Sequence, residues 1–238
     1  MSANAAIITC MSTVVLLHSP FLGPASLRPL ADALAARGWP VLLMDLQMTV
    51  NEPPVHQRLI GAFADALEDS MVTDDIVLVG HSGAGPLLPG FADALESPVS
   101  GIVYLDSDLP TPGRAWRDTV DPSLVSEIKS RVRAGKLPRW DLWFSPDPLS
   151  SLVFDAVLRE EIRDEIPEVS WEFLKEQRPA VAWLGPSGYV QLSDAYSVAA
   201  DEAEQRGWPV KRMSSHHLAA ATDPVTVADA LTDVLSTL

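Results

Sequence analysis

Six short runs rich in β-branched and apolar residues recur along the chain: "TVVLLHS" from residue 13, "PVLLMDL" from 40, "DIVLVG" from 75, "GIVYLDS" from 101, "PAVAWLG" from 179 and "WPVKRM" from 208. Their apolarity is continuous rather than alternating, which suits strands covered on both faces. Between them apolar residues recur at helical spacing. Leu27, Leu30, Ala31 and Leu34 form one stripe that stops at Arg37 and Gly38, and Leu59, Phe63 and Leu67 form another. A last helix begins with Asp223 as N-cap and Pro224 at its first position, with Val227, Leu231, Val234 and Leu238 on one face. Alternating strands and helices predict an α/β fold with a mainly parallel sheet of about six strands flanked by helices.

The alternation breaks between residues 107 and 178, where no strand pattern intervenes. Trp116, Trp140, Trp143 and Trp171 fall here, with prolines at 138, 146, 148 and 167. This segment is expected to be a helical lid inserted into a core made of residues 1–106 and 179–238. It holds 11 of the 17 Lys and Arg residues and 14 of the 32 Asp and Glu residues, so it is near neutral while the core carries the acidic excess. An aromatic, near-neutral lid over an acidic core suggests a neutral or mildly anionic small ligand.

The net charge of −15 argues against nucleic acid as a partner, because that binding needs clustered cations. Cys10 is the only cysteine, which excludes an internal disulfide and fits a reducing cytoplasm. The apolar stretch "AAIITCMSTVVLL" has no Lys or Arg before Arg28 and runs into patterned structure, so it reads as part of the fold rather than as a secretion signal. No run is long and uncharged enough to suggest a membrane partner. A homodimer is compatible with the sequence.

The strand from 75 leads into "LVGHSGAGP", residues 78–86. A nucleophile elbow turns from strand to helix with its serine in strained geometry, so the positions two before and two after the serine must be small. Around Ser82 these are Gly80 and Ala84, with Gly85 following. Leu88, Phe91 and Leu95 give the next segment a helical face; Pro86 fits a first turn, whereas Pro89 should bend the helix or free a carbonyl. "GHSGAG" lacks the lysine of a phosphate-binding loop, and neither a cofactor nor a metal is expected.

At these residues the chain resembles the α/β-hydrolase superfamily over nearly its whole length: "VVLLHSPFLGP", "LVGHSGAG", "VYLDSDLP" and "HLAAATDP" are the matching pieces. The resemblance implies a catalytic serine, acid and histidine in that chain order, and a leading antiparallel hairpin that is reduced or missing. It selects His217, seven residues before the proline of the last helix, over its neighbour His216. For the acid it favours Asp106, with Asp108 and Asp194 as alternatives. His18 and His81 are expected to support loops beside the site, and His56 to lie on the surface.

The resemblance further implies an oxyanion hole with one donor from the Gly83 N–H and a second from the loop after the first strand. That loop reads His18, Ser19, Pro20, Phe21; proline has no N–H, so Phe21 is the expected donor. Leu22, His81, Trp116, Trp140 and Trp143 are expected around the substrate. Arg114, Arg117, Arg131, Arg133 and Arg139 are candidates to meet a carboxylate. The implied activity is a serine hydrolase cleaving a small ester, thioester or lactone through an acyl-Ser82 intermediate. The departure at Pro20 keeps open a lyase or cyclase of specialised metabolism, and a non-catalytic receptor, on the same fold.

Overall fold

A computed structural model describes residues 12–72 and 75–238. Cys10 and any hairpin ahead of the first strand lie outside the described residues. The strands are β1 (Thr13–Leu17), β2 (Val41–Leu43), β3 (Ile76–His81), β4 (Val99–Leu105), β5 (Ser187–Gln191) and β6 (Val210–Arg212). They form one parallel sheet in the order β2-β1-β3-β4-β5-β6. The chain runs outward from β1 to β2 and returns to β3 on the other side of β1. The β1/β3 boundary is therefore the switch point, where open α/β sheets place their ligands at the carboxyl ends of the strands.

Both sheet faces are buried, which is why the strand runs are continuously apolar. Val15, Leu17, Leu78 and Tyr104 belong to one core, which α2 (Val55–Asp69) covers with Leu59, Phe63 and Leu67. Val14, Leu16, Val79 and Val103 face the other way, against Leu30 and Leu34 of α1 (Arg28–Ala35) and, on α10 (Pro224–Leu235), Val227 and Leu231. Neighbouring strand residues thus alternate between two cores. No described helix is long and apolar enough to cross a membrane.

The run "PAVAWLG" is not a strand. Pro179 and Pro186 bracket it and cannot donate to a ladder, and Leu184 is 94% exposed. The strand lies further on, in "SGYVQ", whose composition disguises it. Its register is set by pairing from Ile102 with Ser187 to Leu105 with Val190. Gly188 is required there because a Cβ would collide with Val234 of α10. The connection from β4 to β5 consequently runs from 106 to 186. It carries α4 (Pro122–Arg131), α5 (Pro148–Leu152), α6 (Ala156–Asp164) and α7 (Glu172–Lys175), and its only bridges are isolated ones.

Pro89 neither bends a helix nor frees a carbonyl. Residues Ser82–Leu87 form a 3₁₀ turn that contains Pro86, and α3 (Leu88–Asp93) starts afresh with Pro89 in its first turn. Leu95 lies beyond the end of α3. Asp223 stands at the N-cap of α10 with Pro224 at its first position, but its carboxylate accepts from the Thr226 hydroxyl at 2.9 Å instead of from the backbone. After β5, α8 (Ser197–Gln205) and the short α9 (Ala219–Thr222) complete the chain.

Candidate active site

Ser82 leaves β3 with φ of +55°, a left-handed conformation that costs a non-glycine residue about 1–2 kcal/mol. Two neighbouring glycines accommodate the corner. A Cβ at Gly80 would lie 3.0 Å from Leu88, and one at Gly85 would collide with the Ser107 hydroxyl and lie 2.7 Å from its Cβ. The second essential glycine is thus Gly85, while Ala84 packs in the core.

Asp106 ends β4 with φ of +45°. That reversal carries its fully buried carboxylate across the end of β5. Oδ1 accepts from the N–H groups of Leu192 and Ser193, both at 2.8 Å, and Oδ2 accepts from the Ser193 hydroxyl at 2.7 Å. The turn is held by Tyr189, whose phenol donates to the Ser107 carbonyl at 2.6 Å and accepts from the Ser107 N–H at 3.2 Å.

The loop between β6 and α9 brings His217 between these two strand ends. Its Nδ1–H donates to Asp106 Oδ2 at 2.7 Å, and its Nε2 meets Ser82 Oγ at 2.9 Å. Burial raises the Asp106 pKa, but the hydrogen bond and charge of His217, with the Ser193 hydrogen bonds, outweigh burial and hold it below the usual carboxylate range. Neither alternative acid bonds to the imidazole: Asp194 and Asp108 are both exposed, and Asp108 lies on the cavity lining. His216 turns away, with its Nε2 3.2 Å from Thr222 Oγ1.

His217 is also held on both faces. The Tyr196 ring stacks at 5.3 Å on one side, and the His81 ring at 4.6 Å on the other. His81 was expected beside the substrate but lies beneath His217, outside the cavity wall. Its Nε2–H donates to the His217 carbonyl at 3.0 Å. Burial, reinforced by the adjacent His217, pushes its pKa down to about 3. His18 is likewise fixed: Nδ1–H donates to the Ser19 carbonyl at 2.8 Å and Nε2 accepts from the Leu46 N–H at 3.1 Å. His56, expected on the surface, is buried edge-on against Phe173 at 4.8 Å. The helical stripe of α2 includes position 56 on its inward side, next to Val55 and one turn before Leu59.

The loop after β1 lies against the elbow, since a Cβ at Gly83 would sit 3.3 Å from Pro20 and from the Phe21 ring. Gly83 occupies the first turn of the 3₁₀ segment, where N–H groups have no intrahelical partner. The Phe21 N–H donates to Ser19 Oγ at 3.3 Å, at the long end of the hydrogen-bond range.

Ser82, Gly83 and His217 open into a cavity of about 550 Å³ walled by Phe21, Trp116, Trp140, Trp143 and Phe173. Phe21 is gripped edge-on by Trp143 at 4.9 Å and Phe173 at 5.2 Å, which makes this wall rigid. Leu22 is not part of it; it packs with Leu149, Val153 and Ile162. Of the five candidate arginines only Arg131 reaches the cavity, and its guanidinium is already committed to Glu127 and the Trp143 carbonyl. Arg114 and Arg133 bond backbone carbonyls, while Arg117 and Arg139 pair with Asp118 and Asp141. Among the lining residues that escaped the sequence reading are Phe173, Tyr196 and Arg178. Tyr196 follows the carboxyl end of β5, a position the fold makes significant; nothing local marks Arg178.

No family model matches the sequence. A carbendazim hydrolyzing esterase from Nocardioides sp. (strain SG-4G) is 29% identical over 136 residues, covering 52% of this chain and 54% of that protein, so the match spans about half of the relative's length. Among solved structures, an extracellular α/β-hydrolase from a Paenibacillus species, homologous in structure and function to tobacco salicylic acid binding protein 2, superposes with a TM-score of 0.75 at 16% identity. That match covers 94% of this chain and 98% of the other. A pyrethroid hydrolase from Sphingobium faniae JZ-2 superposes with a TM-score of 0.66 at 17% identity, covering 95% and 98%. The chain thus has the α/β-hydrolase fold.

Proposed function

We propose that this protein is a serine hydrolase that cleaves carboxyl esters of small, ring-containing molecules through an acyl-Ser82 intermediate. The observation that carries the reading is the hydrogen-bonded series from Ser82 Oγ through His217 to Asp106, opening at its serine end into an aromatic cavity. His217 Nε2 takes the Ser82 proton as Oγ attacks the carbonyl, and later returns it to the leaving oxygen. Asp106 keeps the second ring proton on Nδ1 and stabilises the imidazolium. The Gly83 N–H receives the developing oxyanion, joined by the Phe21 N–H once it leaves Ser19 Oγ. Water then attacks the acyl enzyme by the same steps in reverse. Thioesters and lactones of similar size share this chemistry. The segment from 107 to 178 acts as the lid that carries most of the aromatic wall. The esterase and the hydrolase folds named above support ester cleavage as the reaction class.

A second reading, a lyase or cyclase using the Ser82–His217 pair for proton transfer alone, is favoured by one observation. Pro20 has no N–H, and the Phe21 N–H is engaged with Ser19 Oγ, so neither offers a free donor to join that of Gly83.

Fluorophosphonate labelling followed by intact mass distinguishes the two. One adduct on the wild type, absent in Ser82→Ala, together with turnover of phenyl esters, is expected for the hydrolase. A folded wild type that stays unlabelled overturns it in favour of proton-transfer chemistry.

A further inference from the structure

Within the aromatic cavity stand two opposite charges that the mechanism leaves unused. Asp108 follows the β4 turn, two residues beyond Asp106, and is an exposed residue on the cavity lining. No described residue donates a hydrogen bond to its carboxylate. Arg178, from the far end of the β4–β5 connection, is only 7% exposed and lines the same cavity. One of its five guanidinium N–H groups meets Thr111 Oγ1, and the others have no hydrogen-bond partner among the described residues. Each charge is within electrostatic reach of the other, but they are too far apart for a direct ion pair.

A buried charge such as Arg178 is costly unless hydrogen bonded, whereas the exposed Asp108 keeps its water until a ligand covers it. Here an acceptor with free lone pairs and a donor with free N–H groups face a common space bounded by aromatic rings. The remaining charged pair on the lining, Glu127 and Arg131, is closed on itself, so the lining carries no net charge. An anionic ligand would satisfy Arg178 at the expense of Asp108, and a cationic ligand the reverse. A neutral group presenting an N–H on one side and a C=O on the other satisfies both.

Resting on the esterase reading for its catalytic half, we propose that Asp108 and Arg178 form a recognition subsite for an amide-like group, so that the preferred substrates are neutral esters carrying an amide, carbamate or ureide unit. Asp108 accepts the N–H of that unit and Arg178 donates to its carbonyl. The aromatic wall stacks on the rest of the molecule. Asp108 is thereby a specificity residue rather than a member of the proton-transfer series.

Binding can be read apart from turnover because Trp116, Trp140 and Trp143 report on the cavity by fluorescence. The Ser82→Ala protein is titrated with three near-isosteric phenyl esters: phenyl N-acetylglycinate, phenyl levulinate, in which CH₂ replaces the N–H, and monophenyl succinate, which is an anion. The amide ester is expected to bind about tenfold tighter than the ketone ester, one good hydrogen bond to a charged acceptor. That ratio should fall to near unity when Asp108→Leu is added, and to an intermediate value with Asp108→Asn, which keeps an acceptor oxygen and covers the case of a leucine variant that does not fold. Equal affinity for amide and ketone esters, a ratio untouched by either substitution, or tightest binding of the succinate each overturns the proposal. Because the titration needs no turnover, an amide preference that persists while wild type resists fluorophosphonate refutes the esterase reading and leaves the subsite standing.

Discussion

The imidazoles of His81 and His217 lie face to face, 4.6 Å apart and 29° from parallel, and the His81 Nε2–H is bonded to the backbone carbonyl of His217 at 3.0 Å. The residue before Ser82 thus supports both the ring and the loop of the histidine that bonds to Ser82. Burial keeps His81 neutral, with its pKa depressed from 6.5 to about 3.

That depression has a defined consequence for stability. Between about pH 6.5 and pH 3 the unfolded chain binds a proton at His81 that the folded chain refuses, so stability is full above the unfolded pKa and declines as pH falls. From about pH 7.5 to pH 5 the expected loss from His81 alone is about 2 kcal/mol. His18 and His56, also depressed chiefly by burial, add to it with the same sign. Urea unfolding at the two pH values should show a smaller acid-side loss in His81→Gln than in wild type. An identical loss in the two proteins would show that His81 titrates normally in the fold.

Asp106 accepts four hydrogen bonds while fully buried, so Asp106→Asn forces an amide N–H₂ against donors. Phenyl ester turnover is expected to drop by about three to four orders of magnitude, with a loss of about 3 kcal/mol in stability. Asp194→Asn, at an exposed position, should change neither. A comparable fall in turnover for Asp194→Asn would move the acid to β5.

The positive φ of Ser82 separates two substitutions that both remove the hydroxyl. Ser82→Gly relieves the backbone cost, whereas Ser82→Ala retains it, so the glycine variant should be more stable by about 1 kcal/mol. Chemical denaturation of the pair decides it. Alanine matching glycine would mean that the corner is unstrained.

Gly85 and Gly61 should respond oppositely to alanine. At Gly85 the new methyl collides with Ser107, with an expected cost of about 3 kcal/mol that Ser107→Gly partly restores. At Gly61, inside α2, nothing lies within 4 Å of an added Cβ, and alanine should stabilise by about 0.5–1 kcal/mol. Thermal melts of the two single variants and the double variant test the contrast.

Periodicity and local sterics made most of the framework legible from the residues alone. The continuous apolar runs of β1, β3 and β4 imply a sheet buried on both faces, because every second side chain must find a core. The small residues around Ser82 imply a corner, because a Cβ at Gly80 would crowd Leu88 and one at Gly85 would collide with Ser107. Where local signals were weak or misleading, the reading failed. "PAVAWLG" has strand composition but is bracketed by Pro179 and Pro186, which have no N–H to give a ladder, while "SGYVQ" is a strand because its neighbours β4 and β6 pair with it and α10 packs over Gly188.

What only the tertiary structure decided is which polar side chains meet. Asp106 and Asp108 stand two residues apart on the same segment, and nothing local says which reaches His217. The choice is made by the left-handed turn at Asp106 and by the β4–β5 register, which delivers the N–H groups of Leu192 and Ser193 to one carboxylate and leaves the other facing the cavity. Arg178 and Tyr196 enter for the same reason. Their positions are fixed by contacts across tens of residues, and such contacts leave no periodicity in the chain.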